Sequence, residues 1–236
     1  GSDTVTEAIA QIGFDWLCVD TEHGLGDFRE TRAQLQGIAT STTTPIVRPA
    51  VNDLTAIKKH LDLGAQGLII PWVNTKDEAE YAVRACYYPP AGIRGYAGGV
   101  RADRFGTDPT YLQTANDELL IAVQIETREG VQNIEEIVEV PGVDVIFIGP
   151  WDLSFSLNCP LDFSHPDHRA AMERVETAAK AAGKILGTVT GDMQDLKKYY
   201  ERGYQFVALG LEMNLFINAA KTQLHTVREL LSKEKD

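Results

Sequence analysis

Two carboxylates in the middle of this sequence stand where parallel strands are expected to end. The apolar run 119–125 stops at Glu126, and the apolar run 143–148 is followed by GPWD, whose last residue is Asp152. Both runs are short and rich in β-branched residues, which is typical of strands buried on both faces. Because the strands of a right-handed β-α-β unit end on the same edge of a sheet, Glu126 and Asp152 are expected to lie close together.

This pair of acids has two interpretations. Neighbouring carboxylates repel each other unless they share a proton or a cation. Hard oxygen ligands suit Mg²⁺ or Mn²⁺, so Glu126 and Asp152 predict a site for a divalent metal. The alternative is that each acid caps the helix after its strand, because anionic side chains favour helix N-termini. The two residues alone leave both interpretations open.

Other polar residues also stand at the ends of predicted strands. They are Asp20, Glu22, His23, Arg48 and Gln124. Each has a structural alternative: His23 bonds a carbonyl of its own loop, Asp20 caps a turn, or Arg48 pairs with a surface acid. A cation, an imidazole and several carboxylates nevertheless come from independent strands to one edge of the sheet, the rim formed by the C-terminal ends of the strands. In a barrel, that rim is where the active site lies.

Together these residues predict a reaction of 2-oxo acids. A cation held by Glu126 and Asp152 would bind the 2-oxo acid, and Arg48 would neutralise charge growing on the keto oxygen, which stabilises an enolate. His23, oriented by Asp20, would move the proton of an alcohol, and the outcome is a retro-aldol cleavage. A Schiff-base aldolase would instead need a lysine at the rim, and no predicted strand ends in one.

The elements that carry these residues alternate regularly. Seven apolar runs with strand character are separated by helices or loops, at a spacing of about 25 to 35 residues, which indicates a parallel sheet. No GxGxxG follows the first run, which weighs against a dinucleotide-binding fold. We expect α/β architecture in one (β/α)8 TIM-barrel domain over residues 1–236. Because the chain opens on a helix, the first barrel strand is expected before Gly1.

One stretch interrupts this alternation. Residues 87–117 include YYPPAGIRGYAGGVRADRFG, which has too much glycine and proline for a regular helix or strand. A connection of this length within a compact domain is usually functional, and it is often a lid over an active site.

The composition limits the partners. There are 22 Lys and Arg against 34 Asp and Glu, for a net charge of −12, which argues against nucleic acid or an anionic membrane surface as main partner. The three cysteines are far apart, without zinc-site spacing or a disulfide framework, so a cytoplasmic setting is expected. No apolar run approaches the ~18 residues of a membrane span.

The motifs at the strand ends also carry a family resemblance. DWLCVDTEHG, PIVRPAVND, YYPPAGIRG, VQIETREG and IFIGPWDLS resemble, in order and over nearly the whole chain, the HpcH/HpaI aldolase family. The resemblance implies a (β/α)8 barrel and a class II pyruvate aldolase. Such an enzyme acts on 4-hydroxy-2-oxo acids, including 4-hydroxy-2-oxoheptanedioate, and depends on Mg²⁺ or Mn²⁺, with Co²⁺ as a further option.

The same resemblance implies roles for individual residues. Glu126 and Asp152 correspond to metal ligands, and Arg48 corresponds to an arginine that binds pyruvate. His23 and Asp20 correspond to a dyad, and Gln124 to a residue near the bound oxo acid. The backbone amides of Trp151 and Asp152 would bind the substrate carboxylate. The position of Trp151 is commonly small in the family, so its indole is expected to reshape the acceptor pocket.

The resemblance further implies a homo-oligomer. Relatives form trimers or hexamers in which C-terminal helices pack across subunits, and the predicted helix 214–231 either does this or closes its own barrel. Asp62 matches an acid that in relatives reaches a neighbouring subunit's site.

Two rival functions stay open. The same enolate chemistry serves an oxaloacetate decarboxylase or an enzyme resembling macrophomate synthase. The other rival is a barrel without catalysis that only binds a 2-oxo acid or serves in an assembly.

Overall fold

Seven parallel strands form one sheet in the computed structural model, which describes residues 1–233. Neighbours in the sheet are also neighbours in the sequence. The strands are β1 (Trp16–Asp20), β2 (Thr44–Arg48), β3 (Gly67–Ile70), β4 (Leu120–Ile125), β5 (Val145–Ile148), β6 (Ile185–Thr190) and β7 (Tyr204–Leu209). The parallel α/β architecture predicted from the alternating pattern is therefore confirmed.

Helices alternate with the strands, and those with buried faces cover the outside of the sheet. They are α1 (Asp3–Ala10), α2 (Phe28–Ile38), α3 (Leu54–Asp62), α4 (Lys76–Cys86), α5 (Tyr111–Thr114), α6 (Arg128–Gln132), α7 (Ile134–Ile137), α8 (Pro150–Ser156), α9 (Pro166–Ala181), α10 (Met193–Glu201) and α11 (Glu212–Lys233). Polar caps begin several of them: Asp27 accepts from two backbone N–H groups of α2, and Asp53 does the same for α3.

The sheet curls like part of a barrel. The ring of Trp16 on the first strand stacks on the ring of Phe206 on the last, with centroids 4.1 Å apart. Inside the curl lies a small apolar cluster, and a larger one fills the space between strands and helices. Within the described residues the sheet has seven strands, with β1 and β7 at its ends, so the eighth strand of the predicted (β/α)8 barrel is not among them.

The helices around the two central strands are shorter than those of a regular β-α-β unit. Between β4 and β5 the chain forms two short helices, α6 and α7, which meet at Asn133. Sequence reasoning missed α8, which starts at Pro150 directly after the fifth strand and places Asp152 in its first turn. A helix of 7 residues is too short to show a clear apolar period, although proline is well suited to a first helical position.

The glycine- and proline-rich segment 87–117 does not lie over this chain's own rim. The guanidinium of Arg94 is buried and lies 2.9 Å from the Asp62 carboxylate, and Arg101 donates to the carbonyls of Leu63 and Leu35. These partners belong to or follow the C-terminal halves of α2 and α3, which run back from the rim. The segment also joins the end of α4 to the start of β4, so it lies where the strands begin, away from the rim where they end.

The last helix differs from all others in its surroundings. All side chains described from Glu212 to residue 232 are exposed in the single chain. Within residues 1–233, no helix has the length and apolar character needed to cross a bilayer.

Candidate active site

Arg48 is held at the rim by two acids of the first strand and its loop. The sheet register sets Asp20 opposite Arg48. The Asp20 carboxylate accepts from Nε of Arg48 at 2.9 Å and from Nη2 at 2.7 Å, a two-point contact with fixed geometry. Burial alone would raise the pKa of Asp20, but the hydrogen bonds and charge of Arg48 outweigh it and hold this pKa below its ordinary value.

Glu22 is a second partner of this arginine. Its carboxylate is largely buried and lies 3.1 Å from Nη1 of Arg48. Burial raises the pKa of Glu22; the charge of Arg48 opposes this, while Asp20 and Asp152 add to it. Sequence reasoning placed Glu22 in the cluster without giving it a role, although its position two residues after a strand-ending aspartate was the available signal.

Glu126 is the most buried acid of the rim, with 1% of its surface exposed. One carboxylate oxygen accepts from the backbone N–H of Trp72 at 2.9 Å, and the other accepts from the side-chain amide of Gln124. Burial raises the pKa of Glu126 to about 7; those hydrogen bonds oppose the rise, and the charges of Glu22 and Asp152 increase it. Glu22, Glu126 and Asp152 therefore lie close enough for their charges to affect one another.

Gln124 joins the two halves of the rim. Its side-chain oxygen accepts from Nη1 of Arg48 at 3.4 Å, while its nitrogen donates to Glu126. A continuous polar chain therefore runs from Asp20 through Arg48 and Gln124 to Glu126. The side chain of Gln124 therefore orients two predicted functional groups, the guanidinium of Arg48 and the buried carboxylate of Glu126.

A glycine allows the fifth strand to pass beside Glu126. A side-chain carbon at Gly149 would lie 2.7 Å from Oε2 of Glu126, closer than real contacts allow, and 3.0 Å from its Cβ, which is a tight contact. The chain then enters α8, where Asp152 is half-buried in the first turn. Glycine at this strand end is therefore a requirement of the site.

The donor set is suitable for a hard divalent cation but is not a complete cage. Glu126 and Asp152 offer carboxylate oxygens from adjacent strand ends, and the raised pKa of the buried Glu126 is a penalty that a bound cation would relieve. Among the residues the structure describes, no group of three or more His, Cys, Asp or Glu side chains surrounds one point. Any cation here would need further ligands from substrate or water.

His23 does not form the predicted side-chain dyad with Asp20. Its side chain is 62% exposed, and Nε2 lies 3.8 Å from the Glu22 carboxylate. Only the backbone N–H of His23 faces Asp20, at 3.4 Å from Oδ1. Oδ1 of Asp20 accepts instead from Nε of Arg48 and from the backbone N–H groups of Glu22 and His23. Gly24 permits this tight loop, since a side-chain carbon there would lie 2.0 Å from the carbonyl oxygen of Asp20.

Two exposed tryptophans flank the acids. Trp151 is 38% exposed, and Trp72, which sequence reasoning did not single out, is 53% exposed. Trp72 has a φ of 56°, a strained value for a bulky residue, and strain of this kind is often found at functional sites. The backbone N–H of Trp72 is the group that donates to Glu126. Both tryptophans therefore follow strand ends of the rim with their side chains exposed.

Comparison with known proteins finds a matching family and named relatives. A model of the HpcH/HpaI aldolase/citrate lyase family matches residues 2–219. A 4-hydroxy-2-oxo-heptane-1,7-dioate aldolase of Escherichia coli is 44% identical over 216 residues, which are 91% of this chain and 82% of that protein. The match to the family model covers all the strands whose ends form the rim.

Solved structures are similar over nearly the whole chain. A HpcH/HpaI aldolase/citrate lyase family protein from Burkholderia cenocepacia J2315 is 40% identical, with a TM-score of 0.94 over 96% of this chain and 91% of that one. Macrophomate synthase is 26% identical, with a TM-score of 0.85 over 98% of this chain and 83% of that one.

Proposed function

The chain belongs to the HpcH/HpaI aldolase/citrate lyase family and is a carbon–carbon lyase; we propose that it is a divalent-metal-dependent aldolase of 4-hydroxy-2-oxo acids. The products would be pyruvate and an aldehyde. The observation that carries the proposal is the polar chain from Asp20 through Arg48 and Gln124 to the buried Glu126. It sets a permanent cation beside a buried acid, which suits a substrate whose keto oxygen becomes negative during the reaction.

Arg48 has the central role in this proposal. Burial alone would lower the pKa of Arg48, but its hydrogen bonds with Asp20 outweigh this and hold the pKa above its ordinary value. The guanidinium therefore stays charged throughout. It is already oriented by Asp20 and Gln124, so little reorganisation is needed when substrate charge develops. We assign it to the keto oxygen of the 2-oxo acid.

Glu126 and Asp152 are the residues that would hold Mg²⁺ or Mn²⁺, with Co²⁺ as an alternative. A metal bound there would supply Lewis-acid chemistry to the 2-oxo acid. Gln124 and the backbone of Trp72 keep the Glu126 carboxylate in place. Binding of the substrate carboxylate is assigned to the backbone amides of Trp151 and Asp152.

The proposed cleavage balances without another reactant. A base takes the proton of the C4 hydroxyl, the C3–C4 bond breaks, and the aldehyde leaves. The electron pair stays on pyruvate as its enolate, which then takes a proton at C3. We assign the proton transfer to His23; its nearest acid in this structure is Glu22, so Glu22 is the side chain that would orient a protonated imidazole.

The name of a relative indicates the class of substrate. The Escherichia coli relative is a 4-hydroxy-2-oxo-heptane-1,7-dioate aldolase, and we propose a substrate of this class. Trp151 is half-exposed beside Asp152, so we propose that its indole limits the size of the aldehyde.

A second candidate rests on macrophomate synthase, which shares the fold over 98% of this chain. A rim that stabilises the pyruvate enolate would also serve decarboxylation of oxaloacetate, because that reaction passes through the same enolate.

Pyruvate release tests both candidates. The purified protein is treated with EDTA and assayed with 4-hydroxy-2-oxoheptanedioate and with oxaloacetate, before and after restoring Mg²⁺, Mn²⁺ or Co²⁺. Metal-restored cleavage of the hydroxy-oxo acid supports the aldolase. Activity on oxaloacetate alone supports the decarboxylase, and full activity that persists in EDTA rejects metal dependence.

A further inference from the structure

His60 is a buried polar residue that the proposed reaction does not use. It lies in the last turn of α3 and is 2% exposed. Its Nε2 lies 3.3 Å from Oγ1 of Thr21, and within residues 1–233 its Nδ1 has no hydrogen-bond partner. Burial lowers the pKa of His60 to about 4, so the ring is neutral near neutral pH. A buried histidine with one directed contact needs an explanation beyond packing.

The contact leads directly to the rim. Thr21 has one hydroxyl proton, which it donates to the carbonyl oxygen of Arg48 at 2.8 Å; its backbone N–H donates to the same oxygen at 2.9 Å. The hydroxyl can therefore only accept from His60, which assigns the neutral ring proton to Nε2. A hydrogen-bond chain thus runs from His60 through Thr21 to the backbone of Arg48.

His60 also contacts the other end of the same loop. The loop of residues 21–27 carries Glu22 and His23, and Phe28 begins the helix that follows it. The ring of Phe28 lies 5.0 Å from the ring of His60, between centroids, and Nζ of Lys59 lies 4.6 Å from the centre of the Phe28 ring. One side chain therefore contacts residues at both ends of this loop.

We propose that His60 is a positioning residue, which holds loop 21–27 through Thr21 and Phe28 and so sets Glu22 and His23 against Arg48. The inference rests on the proposed function only for its effect on turnover. Without the Nε2–H donor, Thr21 loses the partner that orients its hydroxyl toward Arg48. The loop then moves, while Arg48 keeps its two contacts with Asp20. Proton transfer on the alcohol should suffer more than stabilisation of the enolate.

The test compares variants that separate the hydrogen bond from packing. Thr21→Val removes the hydroxyl at nearly constant shape, and His60→Leu removes the donor. His60→Gln restores a donor at similar reach. Ile57→Val, on the same helix and fully buried, is the packing control. Cleavage is measured as kcat and KM for 4-hydroxy-2-oxoheptanedioate, and enolisation as exchange of the pyruvate methyl protons in D₂O.

We expect Thr21→Val and His60→Leu to lower kcat for cleavage about 10- to 100-fold, the usual effect of a misplaced functional group. Proton exchange should fall much less, His60→Gln should recover most of kcat, and Ile57→Val should leave kcat unchanged. Wild-type kcat in Thr21→Val, or an equal loss in Ile57→Val, would overturn the proposal.

A second readout does not depend on turnover. The imidazole resonances of His23, followed by NMR, report the position of the loop. They should shift or broaden in Thr21→Val and in His60→Leu, and stay unchanged in Ile57→Val. If the wild-type protein neither cleaves the substrate nor exchanges pyruvate protons, the proposed function fails; if His23 resonances are the same in all variants, the positioning role fails independently.

Discussion

At the scale of single residues, Arg48 connects the other groups of the rim. Its guanidinium contacts Asp20 at two points, Glu22 at 3.1 Å and Gln124 at 3.4 Å. Both acids lose their cationic partner if the arginine is removed, so its loss affects the charge of the site as well as the substrate contact.

Replacing Arg48 with alanine should lower kcat/KM for pyruvate release at least ~100-fold, because charge on the keto oxygen loses its preorganised partner. Steady-state assays measure the effect. Arg174→Ala is a matched control, since Arg174 forms a comparable ion pair with Glu135 on the exposed surface and should leave activity unchanged. Turnover near the wild-type rate in Arg48→Ala would contradict the assigned role.

Glu126→Gln should weaken binding of Mn²⁺ at least ~10-fold, because a neutral amide of the same shape replaces a hard anionic ligand. Titration calorimetry measures the affinity. Glu129→Gln removes the same charge from an exposed position three residues later and should bind Mn²⁺ as the wild type does. Equal affinities in the two variants would show that Glu126 is not a ligand.

At the scale of elements, the site depends on how each strand passes into its helix. The turn after β5 has Gly149 against Glu126, and the turn after β6 has Gly191 in open space. The two glycines occupy similar positions in consecutive strand ends, so they can be compared directly.

Gly149→Ala should displace Glu126 and destabilise the fold by about 1–3 kcal/mol, the usual effect of overpacking. Urea denaturation measures the free energy of unfolding, and Mn²⁺ titration measures the site. Gly191→Ala is the control, since a side-chain carbon there meets no atom within 4 Å. Equal stability of the two variants would mean that the close approach to Glu126 is not a constraint.

His60, which lies on α3, should make the free energy of unfolding depend on pH. The folded state holds the pKa of His60 near 4, below its ordinary value, so the unfolded chain binds the proton more readily as pH falls below about 6.5. The free energy of unfolding should therefore fall from pH 6.5 toward pH 4. Urea denaturation across this range should show a smaller slope in both His60→Leu and His60→Gln, and an unchanged slope would contradict the assignment.

At the scale of the whole molecule, α11 is exposed along its length in the single chain. Apolar residues recur on it every three or four positions, namely Met213, Ile217, Ala220, Leu224, Val227 and Leu231. An exposed apolar stripe of this length is typical of an interface. We propose a homo-oligomer, a trimer or hexamer, in which α11 packs against a neighbouring copy.

Light scattering after size-exclusion chromatography should give a mass that is a multiple of the 26.0 kDa chain. The double variant Leu224→Glu and Val227→Glu should shift it toward one chain, because charge is placed within the stripe. Asn218→Glu with Thr222→Glu adds the same charge on the opposite helix face and should leave the mass unchanged. A wild-type mass of one chain would reject the proposed assembly.

The predicted strands agree closely with the structure because their signal is local. Short apolar runs bounded by glycine, proline or acids predicted all seven, and the run 119–125 corresponds to Leu120–Ile125 in the structure. Less regular elements were missed or misplaced. Helix α8 is too short for a period to appear, and the packing of segment 87–117 depends on ion pairs such as Arg94 with Asp62, whose partners are 32 residues apart.

The sequence alone determined which residues reach the rim, because parallel strands end on one edge and strand ends can be recognised locally. Asp20, Arg48, Glu126 and Asp152 follow from that rule. Only the tertiary structure decided which of them pair. The Asp20 carboxylate pairs with Arg48 and not with the side chain of His23, and the backbone N–H of Trp72 donates to Glu126 from 54 residues away. Such contacts depend on loop paths and on distances of an ångström, and no sequence pattern records them.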